Sequence, residues 1–117
     1  MRRLTLVLVV VACGLFLVGA AVAATGLRVS AAANGSLKYT KTTLSAPAGR
    51  VTITMPNPSP LPHNIAIKGA GVSVKGKIVA KGGTSTVSVT LKKGRYTFYC
   101  SVPGHEGAGM KGTLTVK

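Results

Sequence analysis

Acidic side chains are almost absent from this chain. Its 117 residues carry a single carboxylate, Glu106, against 15 Lys and Arg, for a formal charge of +14. Histidine and cysteine are nearly as scarce, with two of each: His63 and His105, Cys13 and Cys100. No apolar spacing of helical period appears after Ala33, which argues against a helical domain. No internal repeat and no linker breaks the chain into parts. The basic residues are scattered from Arg28 to Lys117, with no helix-borne stripe and no basic–aromatic alternation. Nucleic acid is therefore not expected as a partner. A strong positive field instead speeds encounter with acidic proteins or anionic surfaces and favours solubility.

The first residues read as an export segment. Met1-Arg2-Arg3 is a charged start, and Leu4 to Ala24 is an unbroken run of apolar and small residues. Ala21-Val22-Ala23 is an A-x-A cleavage pattern, so removal after Ala23 or Ala24 is the default expectation for residues 1–24. Two alternatives stay open. The run is long enough to be kept as a membrane anchor, and Val10-Val11-Ala12-Cys13 resembles a bacterial lipobox that would lipidate Cys13. All three put the chain outside the cytoplasm: periplasmic, extracellular, or membrane-associated on the outer face. Once Cys13 leaves with the signal, Cys100 is a lone thiol in an exported domain and calls for a reason. A buried, inert thiol is the plain alternative.

The remaining residues suffice for one small domain. Residues 25–35 read as a loose lead, with Asn34-Gly35 as a turn signal, and 36–117 as the folded domain. Strands are expected at Leu37 to Leu44, at Val51 to Met55, around Ile65 and Ile67, at Val72 and Val74, at Ile78 to Ala80, at Thr84 to Leu91, at Arg95 to Cys100 and at Met110 to Val116. Lys92-Lys93-Gly94 reads as a hairpin turn. Seven or eight short strands at regular spacing predict an all-β sandwich. Alternation puts His63 in phase with Ile65 and Ile67, Cys100 with Tyr96 and Phe98, and Met110 with Leu114 and Val116, so all three face the core. If the nine-residue loop between Cys100 and Met110 closes a hairpin, both lie at one end of the sandwich. His63 joins them if its strand runs antiparallel to Arg95 to Cys100.

The chemistry concentrates there. Cys100, His105 and Met110 follow one another with four residues between each pair, and Pro62-His63-Asn64 supplies the other imidazole. One thiolate, two imidazoles and a distant thioether are the donors of a blue-copper site. Cu(I) prefers soft sulfur and Cu(II) prefers imidazole, so a nearly fixed mixed set lets one electron come and go with little movement. A structural zinc site would need a fourth strong ligand, and Glu106, next to His105, is poorly placed to be one. A Cys–His nucleophile pair would leave Met110 and the second His unexplained and lacks an orienting third group. Two His in all are too few for the His-rich cluster of a multicopper oxidase.

Pro62-His63-Asn64-Ile65, Arg95-Tyr96-Thr97-Phe98-Tyr99-Cys100-Ser101 and His105-Glu106-Gly107-Ala108-Gly109-Met110 resemble the ligand motifs of plastocyanin-type cupredoxins, over roughly Leu44 to Lys117. The resemblance implies a Greek-key sandwich with one type 1 copper held near one end by His63, Cys100, His105 and Met110. Asn64 and Ser101 would tie the two ligand loops together. His105 would be the exposed ligand through which electrons pass, rimmed by Pro62, Pro103 and Ala108, with Tyr99 a possible surface route or simply a solvated strand residue. Plastocyanin has two residues between its Cys and second His, whereas four stand here, Ser101 to Gly104. The acidic patches of plant plastocyanins are also missing. The function implied is a monomeric, non-enzymatic one-electron carrier between a redox donor and an acceptor with acidic docking surfaces. It would meet a membrane only through an uncleaved or lipidated N-terminus. The alternative is an exported copper-binding or trafficking protein without an electron-transfer role.

Overall fold

The computed structural model describes residues 24–117 together with Gly14. The expected export segment, Cys13 included, otherwise lies outside the described residues. Eight strands form: β1 (Thr25–Arg28), β2 (Thr43–Ala46), β3 (Gly49–Pro56), β4 (Ala66–Gly69), β5 (Val72–Lys75), β6 (Thr84–Leu91), β7 (Gly94–Tyr99) and β8 (Lys111–Val116). They make two sheets, β1-β3-β6 and β2-β8-β7-β4-β5. The fold is an all-β sandwich with no helix among the described residues.

The core follows from alternation. Val51, Ile53 and Met55 on β3, Val87 and Leu91 on β6, Ile65 and Ile67 around β4, Tyr96 and Phe98 on β7, and Leu114 and Val116 on β8 turn inward and are buried. The Thr and Ser residues between them stay partly or fully in solvent. Phe98 lies opposite Gly112 in the β7–β8 register. A Cβ on Gly112 would collide with the Phe98 ring and come within 2.6 Å of the Thr42 carbonyl, so only glycine leaves room for the ring.

Four local expectations differ from the structure. Thr25–Arg28, expected within a loose lead, is a strand that pairs in parallel with β3 from Thr25↔Val51 to Arg28↔Thr54. The strand expected over Leu37 to Leu44 forms only at Thr43–Ala46, while Tyr39 makes an isolated bridge to Ala31. Ile78 to Ala80 supplies only the bridge of Val79 to His63. Lys92-Lys93-Gly94 is not a hairpin turn: β6 and β7 lie in different sheets, so the segment carries the chain across the sandwich. The tight hairpin is β4–β5, closed by Ala70 and Gly71, both at positive φ.

Candidate metal centre

Two registers bring the donors together. β4 runs antiparallel to β7, with Ala66 opposite Tyr99 and Ile67 opposite Phe98. The residues just before β4 and just after β7 therefore meet at one end, and these are His63 and Cys100. β7 and β8 pair antiparallel from Gly94↔Val116 to Tyr99↔Lys111, and the Cys100 amide then donates to the Met110 carbonyl at 3.1 Å. The loop 101–109 is the hairpin connection. It is held by its own backbone: His105 N donates to Val102 O (3.0 Å), Ala108 N to Gly104 O (3.1 Å) and Met110 N to His105 O (3.0 Å). Gly104 and Gly109 take positive φ, 84° and 111°, to let the chain fold back.

His63, Cys100 and His105 converge with their ligand atoms within 4.8 Å of one another. Cys100 Sγ lies 3.6 Å from His105 Nδ1 and 3.9 Å from His63 Nδ1, and the two Nδ1 atoms are 3.2 Å apart. The imidazoles meet edge-on, at 62° and 5.0 Å between centroids. His63, Cys100 and Met110 are fully buried, and His105 is half-buried. Burial first, and the neighbouring His105 second, hold the His63 imidazole below the usual histidine value of 6.5. A neutral ring keeps one nitrogen lone pair free, which metal ligation requires. The donor set also fits copper chemically: soft sulfur beside two imidazoles serves both oxidation states.

Asn64 is the strut between the two ligand segments. Its Nδ2 donates to Ser101 Oγ (2.7 Å) and Gly76 O (3.0 Å), and its Oδ1 accepts from Ser101 N (2.7 Å). Its own carbonyl accepts from Tyr39 Oη at 2.6 Å. Burial, then Coulombic repulsion from Cys100, push the Tyr39 phenol far above its usual range, so it stays a neutral donor. Pro62, Pro103 and Ala108 are exposed, as is Leu61 at 40%, and His105 is half-buried.

Tyr99 departs from its expected surface position. It does face away from the core, opposite to Phe98, yet it is only 7% exposed. The Lys68 ammonium sits 4.4 Å from the ring centroid. The same ammonium grips both oxygens of Glu106, at 2.6 and 2.7 Å. Every other Lys and Arg from Arg28 onward is exposed. Sequence reasoning missed Tyr39, Lys68, Leu61, Asn57 and Ser59. Asn57 and Ser59, buried in the proline-rich run before His63, had one available signal: polar residues confined between prolines must satisfy a local backbone.

Comparison with known proteins agrees with this geometry. Residues 27–117 match the family model of copper-binding proteins of the plastocyanin/azurin type. Plastocyanin B'/B'' of Nicotiana tabacum is 36% identical over 93 residues, 71% of this chain and 91% of the relative. The chloroplastic plastocyanin of Fritillaria agrestis is 34% identical over 111 residues, covering 84% of this chain and 65% of that protein, so the chain spans a little under two thirds of its length. Among solved structures, dithionite-reduced auracyanin from Roseiflexus castenholzii superposes with a TM-score of 0.71 at 27% identity, over 80% of this chain and 97% of the other.

Proposed function

The chain belongs to the plastocyanin/azurin family of copper-binding proteins, and we propose that it is a one-electron carrier working outside the cytoplasm, periplasmic, extracellular or on the outer membrane face. His63, Cys100, His105 and Met110 would hold one type 1 copper, the Met110 thioether being the weakest donor. Copper would supply the Cu(I)/Cu(II) couple. The observation that carries this reading is the preassembly of three donors, two of them fully buried, at the end of a rigid sandwich. The Asn64–Ser101 strut supports it by holding the His105 loop against the His63 segment. A relative solved in a dithionite-reduced state favours redox cycling over simple metal storage. A non-enzymatic role is favoured because the sole side-chain carboxylate, Glu106, is taken by Lys68, which leaves no acidic group to orient a Cys–His nucleophile pair.

Electrons would pass through His105, because His63, Cys100 and Met110 are sealed and His105 is not. Pro62, Pro103 and Ala108 would form the rim against which a partner settles, with Leu61 beside them. Tyr99, 7% exposed and covered by Lys68, is set aside as a surface route. The partners would be a redox donor and acceptor with acidic docking surfaces, meeting a monomer whose surface is broadly positive; the nucleic-acid reading is set aside. A membrane would be met only through an N-terminus kept or lipidated. Stopped-flow oxidation and reduction across a salt series tests this. The rate with an acidic redox protein should fall by about tenfold or more as salt screens the field, and Ala108→Trp should slow exchange by holding partners away from His105. Salt-independent rates, or an unchanged rate in Ala108→Trp, would overturn the docking assignment.

A further inference from the structure

The proline-rich run Pro56 to Pro62 leads to His63 and buries two polar side chains, Asn57 and Ser59, at 1% and 0% exposure. Such groups are costly inside a protein unless paired. Asn57 is fully used: Nδ2 donates to Leu61 O and Val79 O, both at 2.9 Å, and Oδ1 accepts from Ser59 N at 3.0 Å. Its backbone is clamped as well, by Asn57 N to Gly83 O (2.9 Å) and Gly82 N to Asn57 O (2.7 Å). Asn57 thus fixes where Ser59 stands. The Leu61 amide donates to Ser59 Oγ at 3.1 Å. The same oxygen lies 3.1 Å from His63 Nε2, the ring nitrogen on the far side from Cys100 and His105.

From this geometry we infer that Ser59 is a positioning residue for the metal centre. Its hydroxyl oxygen accepts the His63 Nε2 proton and so commits Nδ1 to the metal. The inference rests on the copper reading above. The His63 backbone is pinned separately, with N donating to Val79 O at 3.1 Å and O accepting from Val79 N at 2.9 Å. That bridge fixes where the residue sits but leaves χ2 free, and Ser59 supplies the missing constraint on the ring. A ligand imidazole that donates its outer N–H is also the stronger electron donor, which favours Cu(II) over Cu(I). His105 has no such restraint: its Nε2 makes no hydrogen bond among the described residues. The two imidazoles are thereby unequal, one held from behind and one open.

The test compares the copper-loaded protein with Ser59→Ala and with Ser85→Ala. Ser85 is an equally buried serine whose oxygen bonds Ile65 N and Lys77 O instead of a ligand ring. Ser59→Ala should weaken Cu(II) about tenfold relative to Cu(I), raising the reduction potential by about 59 mV. Ser85→Ala should leave the potential where it is, although it too loses buried hydrogen bonds. A potential unchanged in Ser59→Ala, or raised equally in Ser85→Ala, would overturn the inference. Should Ser59→Ala not fold, 15N-histidine NMR of the wild-type metal-free protein decides it. There His63 should carry its proton on Nε2, and protonation on Nδ1 would overturn the inference. A blue wild type with no Ser59 effect sinks this inference alone, whereas a wild type that takes no copper sinks the copper reading with it.

Discussion

The two histidines bring the same chemistry to the centre from opposite kinds of structure. His63 is fully buried, its backbone bridged on both sides to Val79 and its ring backed by Ser59. His105 rides a nine-residue loop whose hydrogen bonds are mostly its own, and it is half open to solvent. In the carrier proposed above, the difference would separate two tasks. The buried side would keep the donors still, so that little reorganises when charge changes, and the His105 side would lie close enough to the surface for an electron to leave. Asn64 joins the two, and Lys68 with Glu106 closes the loop from outside.

Removing the join should have the largest effect. Asn64→Ala deletes three side-chain hydrogen bonds and strands the Ser101 amide. It should cost about 1–3 kcal/mol in denaturant unfolding of the apo protein. Hydrogen exchange should rise in 101–109 and stay low in β4. If both regions loosened together, they would not be the separate units described here.

Acid should act next, and on the His63 side. The folded protein holds this imidazole below the ordinary value of 6.5, so below that pH the unfolded chain binds more protons than the folded one. Stability of the apo protein is then full above pH 6.5 and falls as pH drops through the folded value, by at most about 1.4 kcal/mol per pH unit for one proton. Urea midpoints across pH 4–8 check this, and His63→Gln should flatten the dependence. A dependence that persists in His63→Gln would move the titrating group elsewhere.

The smallest effect belongs to the outer clasp. The side chains of Lys68 and Glu106 are 43% and 32% exposed, so their pair is screened and worth less than about 1 kcal/mol. Glu106→Gln should leave the unfolding midpoint nearly unchanged and mainly uncover Tyr99, read as greater quenching of its fluorescence by a soluble quencher. A large loss of stability would mean the clasp, rather than Asn64, carries the loop.

Much of this centre was legible in the sequence because its signals are local. Strand parity placed His63, Cys100 and Met110 inward, and the antiparallel pairing of their strands brought the ends together. What the sequence hid was non-local. Thr25–Arg28 is short and contains a glycine, and only its parallel pairing with β3 makes it a strand. Lys92-Lys93-Gly94 has turn composition, which says nothing about which sheet the chain enters next. Tyr99 was out of phase with the core, but parity does not reveal that Lys68 from β4 lies over it. Asn57 and Ser59 sat unnoticed between prolines because their partners, Val79 and His63, are fixed by tertiary structure.

The most direct test is a titration of the protein with Cu(II), followed by visible absorption. One equivalent should give an intense blue band from charge donated by the Cys100 thiolate. The band should bleach reversibly on reduction and be absent in Cys100→Ala. A colourless Cu(II) complex of the wild type, with Cys100 reduced and present, would contradict the account.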